Sequence, residues 1–148
     1  MHPVVKACYQ RFARFHRTLY RVTGGWLGHH LTVIPALLLT TTGRRSGQPR
    51  AITLTYVLDG TRPVVVASNY GSDHPPAWLL NVDQQPTVEV WQGRRHRTMT
   101  ATVVRPADRE YHRLWRLANR GDHGRYDRYQ AGTGRPIPMV TFTPDPAP

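Results

Sequence analysis

The feature that most constrains the fold is a succession of short stretches rich in β-branched and aliphatic residues, each closed by a turn signal. Pro35 to Thr42, Arg50 to Leu58 and Pro63 to Ser68 read as strands. Asp59-Gly60 between the last two is a hairpin signal, because glycine tolerates the positive φ that tight hairpin turns require. Thr87 to Gln92 and Arg97 to Arg105 form another hairpin across Gly93-Arg94-Arg95, and Ile137 to Phe142 supplies a sixth strand. Among these strands, helical spacing marks Pro76 to Val82 and a segment whose Tyr111, Leu114, Trp115 and Ala118 share one face, so two or three short peripheral helices are expected. Short strands with few helices predict a mainly β (α+β) architecture, a small closed or split six-stranded barrel, which removes exposed sheet edges.

The first residues follow a different rule. Val4, Cys8, Phe12, Phe15, Leu19 and Val22 fall at steps of three and four and draw one apolar stripe on a helix, with Lys6, Arg14, Arg17 and Arg21 on the other side. Such a stripe packs on a domain; a basic amphipathic helix can equally lie on an anionic membrane, and that peripheral contact is the second reading. Thr23 to His30 breaks the helix. The expected organisation is therefore a helix and linker over 1–30 and a barrel over 31–144, ahead of an unordered Pro-rich tail. The chain of 148 residues carries no secretion signal and no uncharged apolar run of the ~20 residues that cross a bilayer, so a cytoplasmic protein, at most peripheral at the inner face of the membrane, is expected. Cys8, the single cysteine, can build neither a disulfide framework nor a thiolate metal site.

Between the first two strands lies Thr40-Thr41-Thr42-Gly43-Arg44-Arg45-Ser46-Gly47-Gln48-Pro49-Arg50, a hydroxyl- and arginine-rich turn held by two glycines. This is the chemistry of a phosphate cradle. Gly43 and Gly47 permit positive φ and close approach, so main-chain N–H groups could converge on an anion while Arg44, Arg45 and Arg50 supply charge-assisted bonds. The competing reading is a solvated hairpin loop. A Walker A loop is excluded, since Gly43 to Gly47 has too few spacers and no lysine follows; a dinucleotide GxGxxG is absent too. The chain as a whole carries 20 Lys+Arg against 9 Asp+Glu, nearly all of the positive charge as arginine, so its partners are anions.

Side chains for self-sufficient chemistry are scarce. No His-Glu-x-x-His or Cys/His quartet offers a metal site, Gly43 to Gly47 is not a Gly-x-Ser-x-Gly elbow, and the acids fall mostly in turns and helix starts. A bound cofactor would relieve that shortage. A second constellation suits one: the strand Val64-Val65-Val66-Ala67 delivers Ser68 and Asn69, Gly71 permits a tight turn, and Trp78 opens a helix whose N-terminal dipole favours anions. Further on, Tyr126 and Tyr129 stand at helical spacing, either lining a pocket or packing on the barrel.

With these segments together, the chain resembles the deazaflavin (coenzyme F420)-dependent nitroreductase and quinone reductase family, whose split β-barrel is like that of FMN-binding oxidoreductases. The resemblance rests on Leu38 to Arg50, on Val65-Val66-Ala67-Ser68-Asn69-Tyr70-Gly71 with Pro76-Ala77-Trp78, and on Tyr126 to Pro138 ending Gly134-Arg135-Pro136-Ile137-Pro138. It implies that Arg44, Arg45, Ser46 and Arg50 hold the coenzyme's phosphate and acidic tail. Thr55, Ala67, Ser68, Asn69, Tyr70, Gly71, Ala77 and Trp78 would border the deazaflavin, Ser68 being the catalytic candidate at its reactive edge, and Tyr126 and Tyr129 would meet the substrate. The implied reaction is hydride transfer from C5 of the reduced deazaflavin to a quinone, nitroaromatic or activated enone, by a monomer or homodimer. Some relatives have tyrosine at Thr55, lysine at Asn69 and a third tyrosine at His123, which leaves acceptor choice open. FMN or haem binding on the same fold is the alternative; a non-catalytic binder of anionic membrane or nucleic acid is another, although no RNA- or DNA-binding signature is present and no nucleic-acid partner is expected.

Overall fold

The computed structural model describes residues 35–120 and 123–145. The expected Val4 to Val22 helix, the linker after it and the end of the tail lie outside the described residues. The strands are β1 (Ala36–Thr42), β2 (Pro49–Thr55), β3 (Val57–Asp59), β4 (Arg62–Val66), β5 (Thr87–Gln92), β6 (Arg95–Val104) and β7 (Met139–Pro144); the helices are α1 (Ala77–Gln84), α2 (Tyr111–Arg120) and α3 (Arg125–Ala131). Among the described residues, no helix is long and apolar enough to cross a membrane.

The strands make one antiparallel sheet in the order β2-β1-β5-β6-β7-β4-β3. Its two edge strands, β2 and β3, are joined by Tyr56 alone. Consecutive Cα atoms are about 3.8 Å apart, so the end of β2 meets the start of β3, and the sheet curls round into a split barrel whose edge strands β2 and β3 are not paired with each other. This corrects the expected strand count from six to seven: the single strand read over Arg50 to Leu58 is two. Thr53, Thr55 and Val57 keep an unbroken period-two pattern through the break, so nothing in the sequence marks where the chain leaves one sheet edge and founds the other.

Alternation sets the inside. Leu37 and Leu39 of β1, Val65 of β4, Val88 and Val90 of β5, Met99 and Ala101 of β6, and Val140 and Phe142 of β7 fill the barrel, and α1 adds Trp78, Leu79 and Val82. The opposite faces of β4 and β7 bury Val64, Val66 and Met139 beneath α2 and α3, which contribute Tyr111, Leu114, Ala118 and Tyr126. The β3–β4 hairpin turns at Gly60, φ +63°, as its Asp-Gly signal requires. Asp59 on that hairpin is gripped by Arg62 at 2.7 Å and by Arg113 of α2 at 2.6 Å, and Glu110 takes Arg62 at 2.8 Å. Donation from Arg113, then Arg62, holds the Asp59 carboxyl well below the usual carboxylate range.

Candidate functional site

The arginine loop is the turn between β1 and β2, closed where Thr42 pairs with Pro49. Part of its main chain is already engaged. The Gly43 amide donates to the Gln48 carbonyl at 2.8 Å and that of Gly47 to the Gly43 carbonyl at 2.7 Å. The Gln48 amide donates to Ser46 Oγ at 3.2 Å, and the Arg44 amide to Asn81 Oδ1 at 3.1 Å. Four of the loop's amides are thus occupied within the protein, those of Gly43, Arg44, Gly47 and Gln48, while those of Arg45 and Ser46 have no acceptor among the described residues and stand beside the guanidinium groups and the Ser46 hydroxyl as donors. Ser46 Oγ also accepts from Arg50 Nη2 at 3.4 Å, so both its acceptor positions are taken and its proton is left to donate outward. Only Gly47 has positive φ, +65°; Gly43 is needed because a Cβ there would lie 2.7 Å from Ser46 Oγ and 3.1 Å from the Gln48 carbonyl.

Asn81, on α1 and 4% exposed, is the anchor that sequence reading missed. Its Nδ2 donates to Thr41 Oγ1 at 3.0 Å, and its Oδ1 also accepts from Arg44 Nη1 at 3.4 Å, tying the loop to the helix. A lone asparagine within a helix carries no signal of such a role.

The other wall follows β4. Asn69, Tyr70 and Gly71 all adopt the left-handed region, with φ of +45°, +55° and +78°. Two non-glycine residues there cost about 1–2 kcal/mol each. Arg135 holds the turn in place, its Nε donating to the Ser72 carbonyl at 2.8 Å and its Nη2 to those of Ala67 and Ser68 at 3.2 and 2.7 Å. Burial lowers the Arg135 pKa, which Asp73 partly offsets. Asn69 Nδ2 donates to the His74 carbonyl at 2.9 Å, and a Cβ on Gly71 would stand 3.0 Å from the Tyr129 carbonyl.

Loop, turn and the start of α1 enclose an open cleft of about 520 Å³. Its lining combines Arg44, Arg45, Ser46 and Arg50 with Asn69 and with the apolar residues Ile52, Pro75, Pro76, Ala77 and Trp78. Among the described residues none of the three arginines has a carboxylate partner. The cleft therefore joins seven of the sequence-derived candidates: Arg44, Arg45, Ser46, Arg50, Asn69, Ala77 and Trp78.

The remaining candidates lie around it. Ala67 and Ser68 are buried behind Asn69 at the end of β4. Thr55 Oγ1 sits 3.4 Å from the Tyr126 hydroxyl, to which Arg125 Nη2 donates at 3.2 Å. Tyr126 is buried and Tyr129 half-buried on α3, whose Tyr126 and Asp127 amides, in its first turn, donate to Asn119 Oδ1 at 3.1 and 3.3 Å. Tyr70 points away from the core, 86% exposed, with its ring edge-on to Tyr129 at 6.4 Å between centroids. Arg125 and Arg135 were not among the expected site residues, although Arg135 belongs to one of the quoted motifs; its targets are carbonyls more than 60 positions away.

The family described as F420H(2)-dependent quinone reductase matches residues 12–144. An F420H(2)-dependent quinone reductase of Mycobacterium tuberculosis strain H37Rv is 42% identical over 131 residues, covering 88% of both chains. Among solved structures, one described as an F420-H2 dependent reductase superposes with a TM-score of 0.64 at 34% identity, covering 74% of this chain and 94% of its own. Another, described as a domain-swapped dimer, gives 0.65 at 31% identity and covers 90% of this chain and 98% of its own.

Proposed function

This chain belongs to the F420H(2)-dependent quinone reductase family, and from that premise we propose that its cleft holds coenzyme F420 and that the protein reduces a quinone with it. The observation that carries the reading is that the cleft's lining combines three guanidinium groups, none with a carboxylate partner among the described residues, with an apolar set that includes Ala77 and Trp78. Such a donor set suits a phosphate and a polycarboxylate tail at one end and a flat ring at the other.

Arg44, Arg45 and Arg50 would hold the anionic groups, with the Ser46 hydroxyl donating beside them. Ala77 leaves room for a ring over Trp78, and Asn69, on its clamped turn, fixes the ring's edge. When bound, the reduced deazaflavin supplies a hydride from C5 to the acceptor. What the protein adds is orientation and a charge environment already in place before reaction, since the walls are tied by Asn81 and Arg135. Ser68 remains the proposed catalytic hydroxyl, lying next to Asn69 in a turn whose carbonyls Arg135 holds. Thr55, Tyr126 and Tyr129 border the acceptor side, where nitroaromatics and activated enones are further candidate acceptors.

The test is turnover. Purified protein mixed with reduced F420 and a soluble naphthoquinone should regenerate the oxidised coenzyme's absorbance, and Arg50→Ala should raise the coenzyme Kd by about 10- to 100-fold, the worth of one charge-assisted hydrogen bond. Wild-type protein that oxidises no reduced F420 refutes the reading.

A further inference from the structure

Tyr70 is in a conformation that suits glycine, with φ +55°, yet its ring is 86% exposed. A buried ring could offset backbone strain through packing, but this one is largely in water. Its described ring contact is the edge of Tyr129, at 6.4 Å and 74°. The pedestal beneath it is rigid: the Gly71 amide bonds the Ser68 carbonyl at 2.9 Å, that of Ser72 bonds the Asn69 carbonyl at 3.0 Å, and Arg135 grips the carbonyls on either side. Gly71 is pressed against the Tyr129 backbone, so the two tyrosines are held in register by main chain as well as by their rings. Strain kept at an exposed side chain on a fixed support is the pattern of a residue retained for contact with a ligand.

We propose that Tyr70 is a specificity-determining residue that touches the acceptor: with Tyr129 it forms an aromatic corner on which a planar, ring-containing acceptor stacks. The assignment rests on the reductase reading above and refines it. Tyr70 does not line the cleft, whereas its neighbour Asn69 does, so the corner stands at the rim, where an acceptor would enter over a bound ring. Aromatic contact favours flat quinones over small or non-planar acceptors.

The experiment compares wild type with Tyr70→Asn, which tolerates the left-handed region without a ring, with Tyr70→Gly, which relieves the strain, and with Tyr70→Phe, which keeps the ring. For each, Tm, coenzyme Kd by fluorescence, and KM for a two-ring naphthoquinone and a one-ring benzoquinone are measured. The proposal expects Tm unchanged or raised in the Asn and Gly variants, coenzyme Kd within twofold of wild type, and naphthoquinone KM raised about 2- to 10-fold, the equivalent of one aromatic pair, with Phe behaving as wild type. A fall in Tm makes the ring structural, an equal loss of coenzyme affinity places it on the coenzyme, and unchanged KM values remove it from the acceptor site; each overturns the proposal. Wild-type protein inactive with every quinone refutes the parent reading instead, and this assignment falls with it.

Discussion

Replacing Asn81 separates the two things its amide does. In Asn81→Ala the Thr41 hydroxyl, 2% exposed, keeps only a 3.5 Å contact to the Arg50 carbonyl, and the Arg44 amide loses its acceptor. A buried unsatisfied group costs about 1–3 kcal/mol, whereas the half-exposed Arg44 amide can turn to water, so the loss should be about 2 kcal/mol, or roughly 5–10 °C in Tm. Freeing the Arg44 side chain adds the entropy of fixing one long side chain to coenzyme binding, roughly 2- to 10-fold in Kd. Asn81→Asp behaves oppositely. Its carboxylate still accepts from Arg44, and the Thr41 hydroxyl can rotate to donate to it, so Tm should stay within a few degrees of wild type. The same carboxylate neutralises Arg44 and repels an anion, raising Kd by about 10- to 100-fold. Thermal denaturation and a coenzyme titration, run on both variants, should thus rank them in opposite orders. If Asn81→Asp binds as tightly as wild type, or Asn81→Ala melts as wild type does, Asn81 does not hold the loop as described.

Other consequences are equally direct. Gly71→Ala must place a Cβ 3.0 Å from the Tyr129 carbonyl at φ +78°, and should cost about 3 kcal/mol in a urea titration, strain and overlap combined; a loss under 1 kcal/mol would contradict the geometry. Arg135→Lys keeps the charge but cannot reach the Ser72 carbonyl and those of Ala67 and Ser68 together, so amide exchange over residues 68–72 should quicken, while an unaltered pattern would deny the clamp. Because the folded-state pKa of Asp59 is depressed, its contribution to stability is present above the unfolded carboxylate pKa, near 4, and is lost as pH falls through the folded value. Asp59→Asn should therefore melt below wild type at pH 7, and the gap should narrow under acid; a gap constant down to pH 3 would contradict this.

Sequence legibility followed the range of the interactions. Ala36 to Thr42 is legible as a strand from its aliphatic and β-branched residues, although three leucines followed by three threonines do not mark the inward face that Leu37, Leu39 and Thr41 take, and the Asp59-Gly60 turn declares itself within two residues. The break at Tyr56 is invisible because it depends on which strands the chain pairs with on either side of it, β1 before and β4 after. The loop's arginines and serine could be read directly, but not the fate of its amides, which cross-loop pairing and Asn81 decide. Likewise, nothing local distinguishes Arg135 from a surface arginine, since its partners are carbonyls from another part of the chain. Tyr70 was expected to border the ring but does not line the cleft, and its left-handed backbone was not legible, because tyrosine seldom adopts it.

The central claim, that the arginine-lined cleft is a deazaflavin site, is tested most directly by titrating the purified protein with oxidised coenzyme F420, followed by coenzyme fluorescence, with FMN in parallel. The account expects saturable binding of F420 that weakens as salt rises, as anchoring by arginines requires, and much weaker binding of FMN. Equal or tighter binding of FMN, or no binding of F420, would contradict it.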